Sequence, residues 1–486
     1  MTQKTRMQDI VVILPGITGS VLQKDGKDIW AVSGQAIWQA LSRSFDSLQD
    51  LMLYEDDAEA ENLEDGIQAT QLISDTHLIP GLVKILDGYT AISRLVTDNF
   101  IVTPGDIYKD LDEKEANFYH FPYDWRRDNR ANARLLKRLI DKRLQCWRQY
   151  TGIKDAKVIL LAHSMGGLIS RYYVEVLEGW RDCKALFTFG TPHRGSVNSL
   201  DFLANGYKQM FLDLTELMRS FTSVYQLLPI YKMLKVGNEY HRIAEIGNIP
   251  NVNQEKARNA LAFHREIEAA VEEHQKDENY RNSYRLIPML GMYQPTLQSA
   301  ELVNGKLTVS HSLPKWINDP LLSHGDGTVP YLSAIPIELS NDYRETYVAE
   351  KHSSIQNHKQ ILNELRNRLK AMQRINLQDA RGPEINQEIA EKPAISLSLD
   401  DLYLAGESIQ ITAKVINFNQ DFDVLEAQIT PIFVEGDQLN LNFEQQNDEW
   451  VLTIDDSAPG LYRLRVETDI FGSHAPSAVN DVFEVV

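Results

Sequence analysis

Two cysteines, Cys146 and Cys183, are all that the 486 residues contain. That excludes a disulfide framework, and the apolar surroundings LQCWRQY and DCKALF predict two buried free thiols. No run of about 18 or more apolar residues occurs, so no membrane-spanning helix is expected. Positive charge is also short. Lys plus Arg is 49 against 68 for Asp plus Glu, a formal net charge of −19. A general basic field that would wrap nucleic acid or hold anionic lipid is therefore excluded, while a membrane reached through an apolar patch is not. The opening MTQKTRMQDIVVILPG passes from polar residues into a short apolar strand that Pro15 and Gly16 break, so no signal peptide is expected. The chain reads as cytosolic, with transient peripheral contact at a membrane. With 43% hydrophobic and 24% charged residues the composition excludes disordered, collagenous and coiled-coil chains. At roughly 100–200 residues per domain, the length predicts two or three units.

Buried-type strands are expected at Ile10 to Leu14, Lys157 to Leu161 and Ala185 to Phe189, with helices at Asn132 to Tyr150 and Leu168 to Glu178 between them. That alternation predicts a parallel sheet covered on both faces. The acidic stretch EDDAEAENLEDG, between Leu51 and Gly66, reads as a solvated loop. From Ser196 to about Asn282 the strand signal stops. Apolar residues from Phe202 to Met233 recur at helical spacing, followed by a helix from about Gln254 to His274. The region reads as a helical cap, about 196–282, inserted into a domain spanning 1–375. A polar, proline-bearing linker is expected over 376–394. Seven short alternating runs from Ile395 onward predict a β-sandwich of immunoglobulin-like type over 395–486.

The chemistry is concentrated in VILLAHSMGGLISRYYVE. A buried strand ends at Ala162-His163, Ser164 follows, and Met165-Gly166-Gly167 opens a helix. This is a nucleophile elbow, in which small residues at Ala162 and Gly166 let a tight turn hold the serine hydroxyl above the sheet. His163 is adjacent but reads as structural. A nucleophilic serine needs a base, and the base needs an orienting carboxylate, in the order nucleophile, acid, histidine. SHGDGTVPYLSA offers Asp326 between two glycines. YVAEKHSSIQNHKQILNELRNRL offers His352 in a loop and His358 inside a helix, the weaker choice. His324, His311 and His193 stand in the wrong order. Two backbone amides must face the developing oxyanion: Met165, and Ile17 or Thr18 of LPGITGS.

LPGITGSVL with Trp30, FPYDWR at Phe121 to Arg126, AHSMGG, FGTPHRGS, SVYQLLP at Ser223 to Pro229, GDGTVP and the histidine loop resemble, in that order, the lecithin:cholesterol acyltransferase family. The resemblance covers about residues 8–370 and implies an α/β-hydrolase core in a phospholipase or acyltransferase. It implies Ser164, Asp326 and His352 as the triad, the Ile17 and Met165 amides as the oxyanion hole, and Asp124, Trp125 and Arg126 as a motif that holds the core. Unlike the secreted animal members of that family, this chain is expected to carry neither a signal peptide nor disulfides. The C-terminal sandwich falls outside the resemblance.

The leading expectation is a serine esterase acting on acyl lipids, with phospholipid hydrolysis favoured. Phe211, Met218, Phe221 and Leu227 of the cap are candidates for binding the acyl chain, because an apolar cap suits long chains better than small soluble esters. Lipid acyl transfer is an alternative, since the acyl-enzyme passes its chain to water or to an alcohol. Another is a partner-regulated, membrane-attacking effector whose sandwich docks a protein. A peptidase or thioesterase would favour a more polar, compact pocket. No cofactor, metal or nucleic-acid partner is called for.

Overall fold

The run Ile10–Leu14 is buried at every position and forms an inner strand of a seven-stranded sheet. The computed structural model describes all residues except 1–2, 31–48, 75, 80–82, 110–114, 210–211, 340–345, 374–391, 419–421, 433–435, 456 and 471–474. Across the sheet the strands run Thr346–Val348, Arg285–Gly291, Cys183–Phe189, Val158–His163, Ile10–Leu14, Phe118–His120 and Pro104–Asp106. Every pairing is parallel. Apolar side chains on both sides of one strand are what a sheet covered on both faces requires. Ile10, Val12 and Leu14 enter one core with Leu136 and Ile140 of helix Asn129–Thr151 and Phe263 of helix Gln254–His274. Val11 and Ile13 enter the opposite core with Ile92 and Val96 of helix Thr90–Asn99 and Leu365 and Leu369 of helix Lys359–Met372. The architecture is α/β, with helices on both faces.

The helix expected at Leu168 to Glu178 begins earlier, as Met165–Arg171, and gives way to a π-helical turn at Tyr172–Val176. The region expected as a helical cap, about 196–282, is mixed rather than purely helical. Besides Val197–Asn205, Thr215–Ser220, Thr222–Gln226 and Gln254–His274, it contributes strands Leu234–Val236 and Glu239–His241 to a four-stranded sheet with Ser299–Val303 and Lys306–Ser310. The turns are the reason. Asn304 and Gly305 both have positive φ, 51° and 77°, as a tight two-residue hairpin requires, and Gly237 turns the other hairpin at φ 61°. Those Asn-Gly and Gly-Asn pairs were readable signals that the apolar periodicity around them masked.

The acidic stretch is not simply solvated. Arg127 donates to the backbone oxygens of Asp57, Ala60 and Glu61, and Arg134 donates to that of Ala58. Four carbonyls of the loop thus find guanidinium donors on the segment that opens helix Asn129–Thr151. Of the cysteines, Cys183 is buried and Cys146 half-buried, and both are free.

Beyond residue 394 two sheets share one core. One holds Ala394–Ser398, Ile409–Ile416, Glu449–Ile454 and Glu444–Gln446. The other holds Leu402–Tyr403, Val479–Val485, Gly460–Thr468, Leu425–Ile432 and Leu439–Asn442. Ile411 and Leu452 of the first pack with Ile429 and Leu464 of the second, an arrangement compatible with a β-sandwich. Most of the expected linker, 376–391, lies outside the described residues.

The DWR motif anchors the floor of the domain. The Trp125 indole donates to Ser20 O at 3.1 Å and lies 4.9 Å from the Trp30 ring. Arg126 is fully buried, and its guanidinium reaches Asp124 at 2.6 Å and Asp65 at 2.8 Å. Truncating one partner of a buried ion pair leaves the other desolvated and unpaired. Arg126→Ala should therefore lower stability by about 3 kcal/mol, the low end for such pairs because Asp65 keeps some solvent. The denaturant midpoint checks this, and a loss below about 1 kcal/mol would mean that the pair is solvated.

Candidate active site

Ser164 sits where strand Val158–His163 hands over to helix Met165–Arg171, and its backbone is left-handed, at φ 50° and ψ −124°. A non-glycine residue in that region is strained and persists only where its surroundings hold it. The surroundings do so from three sides. Ser164 N–H donates to Phe189 O at 2.9 Å, and Ser164 O accepts from Gly167 N–H at 3.0 Å and from Thr191 Oγ1 at 2.9 Å. Gly166 is required by space, because a Cβ there would stand 2.4 Å from Pro15 O.

His352 Nε2 lies 2.9 Å from Ser164 Oγ, and His352 Nδ1 lies 2.7 Å from Asp326 Oδ2. The other carboxylate oxygen of Asp326 accepts from Val329 N–H at 2.7 Å and Thr328 N–H at 2.9 Å. An ionised Asp326 fixes Nδ1–H as the donor and leaves Nε2 to accept the serine proton. Gly190 has a positive φ of 57° and faces this pair. A Cβ there would meet His352 Nδ1 at 2.9 Å and Asp326 Oδ2 at 3.0 Å. The structure thus brings Ser164, Asp326 and His352 together at the carboxyl ends of the parallel strands. His358 does not join them. It precedes helix Lys359–Met372, where Nδ1 accepts from Gln360 N–H at 3.3 Å, rather than lying inside it. His324 packs on Tyr293, His193 is buried beside Thr188, and His311 lines the cavity.

A cavity of about 400 Å³ opens over Ser164. Ile17 lines it, and Met165 directly follows the serine in the first helical turn, where amides have no partner within the helix. The loop carrying Ile17 is pinned. Tyr123 Oη–H donates to Pro15 O at 2.8 Å and the Trp30 indole donates to Thr18 O at 3.1 Å. Of the cap candidates, Met218 and Leu227 line the cavity, together with Phe202 and Val224. Phe221 does not. It is 1% exposed and packs edge-on against Trp125, 5.5 Å between centroids, so it belongs to the core. Phe211 lies outside the described residues.

Sequence reasoning missed a polar chain that runs through the cavity-lining His163. Gly16 N–H donates to Tyr89 Oη at 2.8 Å, so the single Tyr89 hydrogen points to His163 Nδ1, 3.0 Å away. His163 Nε2–H then donates to the His352 carbonyl at 3.1 Å. The loop after the first buried strand and the backbone of His352 are thereby connected through one imidazole. Tyr89 and His163 are 74 positions apart, and nothing local marks the pairing. The lining that sequence reasoning missed includes Lys351, directly before the histidine, and Lys84, Leu397, Leu399 and Asp401, which are distant in sequence.

The lecithin:cholesterol acyltransferase family profile matches residues 112–357, just over half of the chain and including all three residues of the Ser164 constellation. The chain belongs to the lecithin:cholesterol acyltransferase family. Membership supports action on lipid esters, as hydrolase or acyltransferase. A search of curated proteins finds no match. Among solved structures, the mature form of the Bacillus licheniformis lipase BlEst2 is similar at 13% identity, over 76% of this chain and 95% of that one, with a TM-score of 0.32. A Corynebacterium diphtheriae protein described as membrane anchored is similar at 17% identity, over 19% and 21% of the two chains, with a TM-score of 0.15. Neither likeness bears on activity. No helix among the described residues is long and apolar enough to cross a membrane.

Burial, then the neighbouring His352, pushes the His163 imidazole down to about 3. An unfolded histidine takes its proton near 6.5. Between those values the unfolded chain binds a proton that the folded chain refuses, so stability falls as pH drops below 6.5. His163→Gln keeps an acceptor for Tyr89 and a donor for His352 but removes this linkage. Between pH 6 and 4 its unfolding free energy should depend less steeply on pH, by up to one proton or about 1.4 kcal/mol per pH unit. Unchanged slopes in urea titrations of the two proteins would mean that the ring protonates in the native state.

Proposed function

We propose that this family member is an α/β-hydrolase that cleaves an acyl ester of membrane phospholipid through a Ser164–His352–Asp326 triad and an acyl-enzyme. The observation that carries the reading is the His352 imidazole, 2.9 Å from Ser164 Oγ and 2.7 Å from Asp326, beside a cavity whose lining includes Phe202, Met218, Val224 and Leu227. Its volume, about 400 Å³, suits a lipid acyl segment. A transient membrane contact belongs to the same reading, as does an immunoglobulin-like form for the C-terminal unit.

Ser164 Oγ attacks the ester carbonyl as His352 Nε2 takes its proton, and Asp326 stabilises the imidazolium that forms. The tetrahedral oxygen receives the Met165 and Ile17 amides. Collapse breaks the ester C–O bond, and His352 Nε2–H protonates the departing lysolipid alkoxide. Water, deprotonated by the same nitrogen, then attacks the acyl-enzyme and releases the fatty acid and Ser164. A lipid alcohol in place of water would make the step a transfer. The product distinguishes the two: free fatty acid or a new ester.

Ser164→Ala should abolish fluorophosphonate labelling and lower ester turnover by about 10³-fold or more, leaving only what binding and the oxyanion hole supply. Labelling that persists in the variant would remove Ser164 from the mechanism. Leu227→Trp should fill part of the cavity, reducing turnover of long-chain phospholipid at least about tenfold while a short-chain soluble ester stays within about threefold. An equal loss on both substrates, read from a chain-length series, would mean that the acyl chain lies elsewhere.

A further inference from the structure

The C-terminal unit does not stand apart from the catalytic end of the parallel sheet. Leu397, Leu399 and Asp401 form part of the cavity wall over Ser164. Its last strand, Val479–Val485, runs beside the loop that carries His352. The strand before that loop ends at Val348, so Ala349, Glu350 and Lys351 link it to His352, whose own backbone bonds to Asp326 O at 2.8 Å and to His163 at 3.1 Å. Two of those three are gripped from the C-terminal unit. Asn480 donates its backbone N–H to Glu350 Oε1 at 3.2 Å and its side-chain amide to Glu350 Oε2 at 3.1 Å. The Lys351 ammonium pairs with Asp481 Oδ2, and Lys84 Nζ reaches Oδ1 of the same carboxylate at 2.9 Å.

These groups have few alternatives. The side chains of Glu350 and Asp481 are both fully buried, and a buried carboxylate is costly unless its oxygens are satisfied. Glu350 finds Asn480 and its neighbour's amide, Lys351 N–H, at 3.0 Å. Burial pushes the Asp481 carboxyl up, but the Lys351 and Lys84 ammoniums outweigh it and hold the group down at about 2. Leu86, Leu461 and Val482 close an apolar contact alongside, and Leu86 N–H donates to Ser353 O, just past the histidine, at 3.0 Å.

We propose that the C-terminal unit is a positioning element of the catalytic centre: Asn480 and Asp481 hold Glu350 and Lys351, and through them set the His352 imidazole against Ser164. The inference rests on His352 being the base. A displacement of about 1 Å in a catalytic group costs up to about 10²-fold in rate, which makes the grip on this short segment a lever on turnover. The unit acts in cis on the reaction, whatever else its outer face binds.

The test uses the full chain and a short-chain soluble ester, so that access to a bilayer plays no part. Lys351→Met should lower kcat about 10- to 100-fold with KM within about twofold, slow fluorophosphonate labelling in parallel, and recover at least a third of wild-type kcat in Lys351→Arg. Asn480→Ala should lower kcat about three- to tenfold, again with KM nearly constant. Asn480 is not among the cavity-lining residues, so loss there does not come from contact with substrate. It carries the same expectation should Lys351→Met not fold. Arg463→Ala removes another pair between the two units, with Asp87, in which both side chains keep contact with solvent, and should leave kcat within about twofold. Wild-type kcat in folded Lys351→Met and Asn480→Ala overturns the proposal. So does an Arg463→Ala loss as large as theirs, which would make the effect one of general docking. A wild-type protein that neither labels nor turns over ester overturns the base assignment itself, and this inference with it.

Discussion

The left-handed backbone at Ser164 is the constraint around which the candidate active site is built. A buried strand must become a helix within one residue, and doing so at φ 50° lifts a polar side chain out of the sheet layer. The cost is crowding. Helix Met165–Arg171 begins against the loop of the neighbouring strand, so that Gly166 has no room for a Cβ beside Pro15 O. Gly190 keeps the next strand's end from striking His352 and Asp326. Apolar packing on both faces of the sheet supplies the rigidity that maintains the strain.

His163 shows how a residue next to the serine serves the site without bonding to it. Its ring lines the same cavity as the serine, and its two nitrogens are spent on Tyr89, from which it accepts, and the His352 carbonyl, to which it donates. Neutrality is built in, because burial disfavours the charged form and one ring nitrogen must remain an acceptor. The chain from Gly16 through Tyr89 and His163 to His352 ties the loop after the first buried strand to the loop of the histidine. Two elements that the proposed reaction requires at a fixed separation are thus held by hydrogen bonds rather than by chain connectivity.

The cavity has two walls of different origin. The cap supplies Phe202, Met218, Val224 and Leu227, and the C-terminal unit supplies Leu397, Leu399 and Asp401. Lys84 and Lys351 lie at the seam, with their charge met by Asp401 and Asp481. Family membership extends over residues 112–357, and the second wall lies beyond that range.

Local pattern determined much of this protein by itself. The apolar runs at Ile10, Val158 and Ala185 are strands because only a doubly covered sheet buries such runs on both faces. The Ala-His-Ser-Met-Gly turn is legible because its strand, its small residues and its helix are contiguous. Asp326 and His352 were legible through chain order and glycine or loop context, although their meeting with Ser164 spans well over a hundred residues. Where a contact bridges distant segments, only the tertiary structure decided. It placed Phe221 in the core against Trp125 while leaving Leu227 on the cavity, a choice that helical spacing does not encode. It turned the acidic stretch into an acceptor for Arg127 and Arg134, because the backbone carbonyls and not the carboxylates carry most of those bonds. It set Tyr89 under His163 and Asp481 between two lysines, since a side chain's partner is fixed by the packing of whole layers and not by its neighbours in the chain.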